Sequence, residues 1–140
     1  MIYLAQTDTT AGFLSKDLKK LNALKKRPLN QPCLITTAKF SELKEFVRVP
    51  NKFKNRLRKA KKTSFIFPNS RALRVVKEGL HARFLEKNGW FYSSSANLHG
   101  QKFDEKLARS LADKVLDEEL FEAKPSSIFK LFRTKIKKMR

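Results

Sequence analysis

Cysteine, histidine and glycine are scarce in this chain of 140 residues, and each shortage excludes a kind of site. Cys33 is the only cysteine, so no intramolecular disulfide can form, and His81 and His99 are too few and too far apart in sequence to indicate a zinc site. The four glycines make neither a Walker A motif nor G-x-G-x-x-G. We therefore expect no protein-held metal, no permanently bound cofactor and no glycine loop around a nucleotide.

Long apolar runs are also missing. No segment approaches the roughly 18 apolar residues of a membrane helix, and the first residues lack the basic start of a signal peptide. We therefore expect a cytoplasmic protein that makes no use of a membrane.

Acidic residues are few as well: 13 Asp and Glu stand against 32 Lys and Arg, which gives a formal net charge of +19. A basic composition keeps a protein soluble, but an excess of this size favours a polyanionic partner such as RNA, DNA, a nucleotide or an acidic membrane surface. The hydrophobic fraction of 41% is enough for a packed core, and the length suits one domain over residues 1–140.

Strand and helix patterns interleave along the chain, which predicts an α/β (or α+β) protein with a mixed sheet. Leu18, Leu21 and Leu24 have helical spacing after Ser15, and Pro28 must end that helix. The predicted strands are 2–7, 32–38, 63–67, 72–76, 90–94 and 126–132. The other predicted helices are a short one capped by Ser41, a basic one over 51–61, one over 79–88 that buries Leu80, Phe84 and Leu85, and one that carries Phe103, Leu107 and Leu111.

Cations gather where the first predicted helix gives way to an extended segment, in LKKRPLNQP at 24–32. Alternate residues of an extended segment point the same way, so Lys25 and Arg27 could reach one anion together. Cations at the end of a helix also simply complement its dipole, and this stretch alone favours that simpler interpretation.

Small polar residues gather after two predicted strands. Ser95 and Asn97 end the strand in FYSSSANLHG, and ligands of α/β proteins bind beside such strand ends. Thr7 and Thr9 follow the first strand in AQTDTTAGF. Each stretch alone is a weak signal: an ordinary turn explains Ser95 and Asn97 as well, and a polar loop is the favoured interpretation of the threonine cluster.

Four short motifs, taken in order, resemble the YrdC (TsaC) family of threonylcarbamoyl-adenylate synthases. That family shows P-T-[DE]-T-x-Y-G-L, K-x-R-P followed by K-P-L, S-A-N-x-S-G and P-S-T-I. This chain reads QTDTTAGF, KKRPLNQPC, SSANLHG and PSSI at the matching places, so the resemblance spans nearly its whole length.

The resemblance implies a twisted mixed β-sheet flanked by helices, with a basic cavity. It implies an enzyme that joins L-threonine, bicarbonate and ATP, with Mg²⁺ accompanying ATP, into threonylcarbamoyl-AMP and pyrophosphate. The product then passes to a transferase that modifies adenosine 37 of tRNA. By the same resemblance Lys25, Arg27, Ser95 and Asn97 are catalytic and bind ATP, Thr7 and Thr9 bind threonine, and Ser126 and Ser64 contact the nucleotide.

The chain also departs from the family pattern. Gln6 replaces a proline, Ala11 a tyrosine and His99 a serine, and residues 59–64, KAKKTS, replace W-P-G-P-L-T. These departures favour a second hypothesis, a non-catalytic relative that binds tRNA or double-stranded RNA, while the intact K-x-R-P and S-x-N favour the enzyme. The carbamoyl-transfer relatives of hydrogenase maturation fit poorly, because their zinc-finger cysteines are missing. We therefore expect a minimal member of the family.

Overall fold

The computed structural model describes residues 1–97, 101–117, 119–121 and 124–140. The chain divides into two compact units. The first unit comprises Met1–Cys33 and Phe91–Pro125, and the second comprises Leu34–Trp90 and Ser126–Arg140. That residues 1–140 form a single domain stays a prediction from the sequence.

The strands and helices follow the predicted order closely. The strands are β1 (Tyr3–Gln6), β2 (Ala11–Ser15), β3 (Leu34–Thr37), β4 (Thr63–Ile66), β5 (Ala72–Val75), β6 (Phe91–Ser95), β7 (Lys114–Val115), β8 (Ser127–Leu131) and β9 (Ile136–Lys138). The α-helices are α1 (Leu18–Leu24), α2 (Lys54–Lys59), α3 (Gly79–Asn88) and α4 (Glu105–Leu111), and two 3₁₀ helices cover Phe40–Glu45 and Asn51–Phe53.

In the first unit the strands run in the order β7-β1-β2-β6. β1 and β2 form an antiparallel hairpin, β2 pairs antiparallel with β6, and β1 pairs parallel with β7. The core of this unit contains Leu4, Phe13 and Leu21, all fully buried, together with Ala96 and Ala108. The sheet is mixed, and α1 packs against it through Leu21.

In the second unit the strands run in the order β3-β5-β4-β8-β9. β3 with β5 and β4 with β8 are parallel pairs, while β4 with β5 and β8 with β9 are antiparallel. Phe65, Phe67, Leu73 and Leu131 are buried in this unit. Both units therefore confirm the predicted class, a mixed sheet with flanking helices.

The structure corrects several local expectations. β2 was not among the predicted strands. All five of its residues are buried, so it lacks the alternation of polar and apolar residues that marks a half-exposed strand. Leu80 was expected to be buried but is 69% exposed, because α3 turns His81, Ala82 and Leu85 inward instead. Ser41 does not cap its helix, since Lys39 occupies the N-cap position without a side-chain bond.

Two further helices differ in detail from the prediction. The basic helix expected over 51–61 begins as a 3₁₀ turn and is α-helical only at α2. In α4, Leu107 and Leu111 are 37% and 38% exposed, and Ala108 is the buried residue. The apolar spacing therefore located α4 but misplaced its buried face by one residue.

Candidate active site

Lys25 forms the C-cap of α1 and is only 5% exposed. Its Nζ donates a hydrogen bond of 2.7 Å to the carbonyl oxygen of Ser95 and a second bond to the carbonyl oxygen of Asn97. These bonds join the end of the first helix to the carboxyl end of β6. The K-x-R-P and S-x-N motifs, which are separated by about 70 residues of sequence, therefore meet within the first unit.

The environment of Lys25 disfavours its charged form. Burial, and then the nearby positive charge of Arg27, lower the pKa of the Lys25 ammonium to about 8, while Cys33 opposes this shift. A lysine with a pKa this close to neutrality is typical of a functional site, although buried structural lysines show it as well.

Arg27 lies two residues further on, after Lys26, which takes a left-handed backbone conformation with φ of 56°. The Arg27 backbone N–H donates to the carbonyl oxygen of Asn22 at 2.9 Å, and Nη2 donates to Cys33 Sγ at 3.0 Å. Its Nε is buried and has no hydrogen-bond acceptor among the described residues. Buried N–H groups normally donate a hydrogen bond, so an acceptor atom of a bound ligand would satisfy the Arg27 Nε–H.

Ser95 and Asn97 stand at the end of β6, as the sequence predicted. Ser95 is exposed, and the side chain of Asn97 donates from Nδ2 to the carbonyl oxygen of Gln101 at 2.8 Å. Both residues contact Lys25 through backbone carbonyl oxygens rather than through their side chains. His99 and Gly100 of the same motif lie outside the described residues.

Thr7 and Thr9 lie in the turn between β1 and β2, and both are buried. Their hydroxyl oxygens are 3.3 Å apart, and Thr7 Oγ1 also accepts from the backbone N–H of Thr9 and donates to the carbonyl oxygen of Thr10. The two hydroxyls thus hold the turn in shape, and Thr9 Oγ1 keeps hydrogen-bonding capacity for a ligand.

Gly12 brings this turn against β6. A Cβ at Gly12 would lie 3.0 Å from Thr7 Cγ2 and 3.2 Å from the carbonyl oxygen of Ser94, so a larger residue would force the hairpin to shift. Gly12 is also the register partner of Ser95. The threonine turn therefore lies beside the strand end that Lys25 contacts.

Ser64 and Ser126 belong to the second unit, where both are buried and their hydroxyl oxygens lie 3.1 Å apart. Arg140 donates from Nε to the carbonyl oxygen of Ser126 at 2.9 Å and from Nη2 to its hydroxyl at 3.3 Å. Arg140 was not among the site residues predicted from the sequence. Nothing in its local sequence, one cation in a basic run, distinguishes it, and only the pairing of β8 with β9 brings it to Ser126.

Asn22 was missed as well, although an asparagine in the middle of a leucine-spaced helix is an unusual choice that could have drawn attention to it. Ala11, where the family pattern has tyrosine, is buried at the start of β2. Residues 59–64 run from the end of α2 into β4.

Within the described part of the chain, no three His, Cys, Asp or Glu side chains come close enough to hold a metal ion. The same described ranges contain no helix that is both long and apolar enough to cross a membrane.

The model of the Sua5/YciO/YrdC family, described as telomere recombination, matches residues 6–140. The chain therefore belongs to this family, as its four motifs indicated. No curated protein matches the sequence.

Solved structures with the same fold include P. abyssi Sua5 complexed with L-threonine, with a TM-score of 0.82 and 17% identity over 99% of this chain and 49% of that chain. E. coli YciO has a TM-score of 0.78 and 16% identity over 99% of this chain and 82% of that chain. MTH1692 from Methanobacterium thermoautotrophicum has a TM-score of 0.73 and 19% identity over 99% and 79% of the two chains. The chain spans about half the length of P. abyssi Sua5.

Proposed function

We propose that this protein is an L-threonylcarbamoyladenylate synthase, which makes threonylcarbamoyl-AMP and pyrophosphate from L-threonine, bicarbonate and ATP. The observation that carries the proposal is the buried Lys25 ammonium at the end of β6, with the Arg27 guanidinium close enough to lower its pKa. Two cations held close together in a partly buried site repel each other, and a bound anionic ligand would offset that repulsion.

The reaction brings three anionic groups together. Bicarbonate takes up a proton and loses water to give CO2. The amine nitrogen of threonine bonds to the carbon of CO2 and releases one proton, so the net products of this step are a carbamate and water. A carbamate oxygen then attacks the α-phosphorus of ATP, the bond to the bridging oxygen breaks, and pyrophosphate leaves. Carboxylate, carbamate and triphosphate repel one another, so fixed cations at Lys25 and Arg27 would stabilise both the bound substrates and the charge that develops on phosphoryl oxygens.

The remaining polar residues would bind and orient the substrates. Thr9 would hold the threonine substrate, with Thr7 fixing the turn, and Ser95 and Asn97 would donate to substrate oxygens. The family resemblance also assigns Ser64 and Ser126 to the nucleotide, which stays a prediction. Mg²⁺ would accompany ATP, bound through its phosphates. A tRNA threonylcarbamoyl transferase would take the product.

The test is pyrophosphate release by the purified protein, measured with each substrate left out in turn. We expect release only when ATP, threonine and bicarbonate are all present, together with an AMP-linked product of the expected mass. Pyrophosphate release that is independent of threonine, or no release with all three substrates, would contradict the proposal.

The pKa of Lys25 gives a second expectation. Since its ammonium loses its charge as the pH rises through about 8, kcat/KM for pyrophosphate release should fall over the same range. Lys25→Arg should remove this fall even if its activity is lower, because a guanidinium stays charged. A pH profile of Lys25→Arg that falls at the same pH would assign the titration to another group.

Unfolding does not explain such a fall. The pKa of Lys25 is lowered from 10.5 to about 8 in the folded protein, so the unfolded chain binds more protons between these two values. The contribution of this group to the free energy of unfolding therefore rises with pH across that window and is lost as the pH falls through about 8. Melting curves recorded beside the activity profile separate the two effects.

A second candidate function, RNA binding, is favoured by the distribution of charge. The second unit holds 21 of the 32 Lys and Arg residues but four of the 13 Asp and Glu, which gives it a formal charge of +17 against +2 for the first unit. Its two basic runs are joined in the fold: Lys52 Nζ donates to the carbonyl oxygen of Thr134 at 2.9 Å, and the Arg56 guanidinium lies 5.0 Å from the centre of the Phe129 ring. We call residues 52–59 and 130–138 the basic surface.

The basic surface suits a phosphate backbone better than a small substrate. Arg56, Arg58, Lys137 and Lys138 are all exposed and lie outside the site proposed above. Lysine and arginine bind successive phosphates without reading the base sequence. We therefore propose tRNA or double-stranded RNA as a further partner of this unit.

A further inference from the structure

Asn22 is a fully buried amide in the middle of α1, a position where leucine or alanine would favour the helix more. Its Nδ2 donates to the carbonyl oxygens of Leu29 and Gln31 at 3.0 and 2.9 Å, and its Oδ1 accepts from Cys33 Sγ at 3.2 Å. The segment that follows the helix therefore satisfies both donors of the amide and its acceptor. This one side chain ties residues 29–33 to α1.

The same residues hold Arg27 at two places. The backbone N–H of Arg27 donates to the carbonyl oxygen of Asn22, and Nη2 donates to the sulfur of Cys33, whose own S–H is directed to Asn22 Oδ1. A continuous chain of hydrogen bonds thus runs from Asn22 through Cys33 to the guanidinium.

We propose that Asn22 and Cys33 are positioning residues of the proposed synthase, which hold the Arg27 guanidinium in the orientation that binds the anionic substrates. The inference rests on the proposed function. Neither residue touches substrate, and each acts through Arg27.

The physical reason is the freedom of an arginine side chain. Immobilising it when a substrate binds costs conformational entropy, and a contact that already fixes the side chain removes part of that cost. Of the five N–H donors of a guanidinium, the bond to Cys33 uses one. The buried Nε, which has no acceptor among the described residues, stays available for a carboxylate or phosphate oxygen.

The test compares Cys33→Ala with Cys33→Ser, because both are smaller than cysteine but only serine can accept from Arg27 and donate to Asn22. We expect Cys33→Ala to lower kcat/KM for pyrophosphate release about tenfold, the effect of one hydrogen bond to a charged group. Cys33→Ser should stay within about threefold of the parent protein. In an Arg27→Gln background, Cys33→Ala should have no further effect, since residues that act through one another are not additive.

Equal losses in Cys33→Ala and Cys33→Ser, or an undiminished loss in the Arg27→Gln background, would overturn the inference. Asn22→Ala should lower activity too, but it removes the donor to the carbonyl oxygens of Leu29 and Gln31 and so also weakens the fold. If Asn22→Ala does not fold, the Cys33 variants alone test whether the hydrogen-bonded chain positions Arg27.

A second measurement does not need enzymatic turnover. Cys33 is the only cysteine, so the pH dependence of its alkylation by iodoacetamide reports its pKa. Burial raises the pKa of the Cys33 thiol, and Arg27 lowers it through its charge and its hydrogen bond. The midpoint should therefore move to higher pH in Arg27→Gln and stay in place in the control Lys26→Gln.

Pyrophosphate release and the alkylation midpoint together distinguish failure of the proposed function from failure of the positioning inference. A shifted midpoint in a protein that makes no threonylcarbamoyl-AMP would confirm the contact and defeat both the proposed function and the positioning role that rests on it. An unshifted midpoint in Arg27→Gln would defeat the positioning inference by itself, whether or not the protein is an active synthase.

Discussion

Arg27→Gln is expected to lower kcat/KM for threonylcarbamoyl-AMP formation by at least about 100-fold, because it removes a fixed cation from a partly buried site where negative charge accumulates in the transition state. The melting temperature should change little. The substitution removes one bond to Cys33 Sγ and keeps the backbone bond to Asn22. Pyrophosphate release and a thermal melt of the same sample measure both quantities.

Lys26→Gln is the matched control for Arg27→Gln. Lys26 is the neighbouring cation, it is exposed, and the same replacement there removes the same charge from the chain. We expect its kcat/KM to stay within about twofold of the parent protein, as for a solvated surface charge. Equal losses in the two variants would show that net charge matters rather than the position of Arg27, and unaltered turnover in both would refute the assignment of the site.

Binding of tRNA or double-stranded RNA should be strong at low salt and fall steeply as salt rises. If the basic surface neutralises six to ten phosphates, affinity should drop about 10³- to 10⁵-fold between 50 and 200 mM salt. The slope of log affinity against log salt concentration should be about −0.7 to −0.9 for each phosphate contact. Filter binding or fluorescence anisotropy at several salt concentrations would measure this slope.

Two pairs of adjacent lysines localise the effect. Lys137 and Lys138 are exposed on β9 of the second unit, and Lys19 and Lys20 are exposed on α1 of the first. Changing the β9 pair to glutamine should make the salt slope shallower by about 1.4 to 1.8, whereas the same change on α1 should leave it unaltered. Equal effects of the two pairs would mean that RNA responds to net charge alone, and a flat salt dependence would argue against RNA binding.

Much of the secondary structure was predictable from local patterns. The leucines at 18, 21 and 24 located α1, and the runs at 63–67 and 72–76 located β4 and β5. β2 was missed because a strand buried on both faces has no alternating pattern. β7 and β9 were missed because strands of two and three residues carry too few side chains to make a period.

The site was predictable only as separate pieces. The sequence singled out Lys25, Arg27, Ser95 and Asn97, but taken alone each stretch was a weak signal, and the Lys25 and Arg27 stretch favoured an ordinary helix end. Their order along the chain indicated the family, which the family model confirms over residues 6–140. Their catalytic roles stay predictions that the Arg27 and Lys25 variants test.

The amino-acid sequence by itself determined the class of fold, the family and the excess of positive charge, because these depend on residue type, spacing and order. Only the tertiary structure decided that the Lys25 ammonium meets the carbonyl oxygens of Ser95 and Asn97 and that Asn22 reaches Arg27 through Cys33. Such contacts join residues far apart in the chain or on different elements, and they depend on how strands and helices pack. Every residue has a backbone carbonyl oxygen, so the residue type does not reveal which of these oxygens accepts a hydrogen bond.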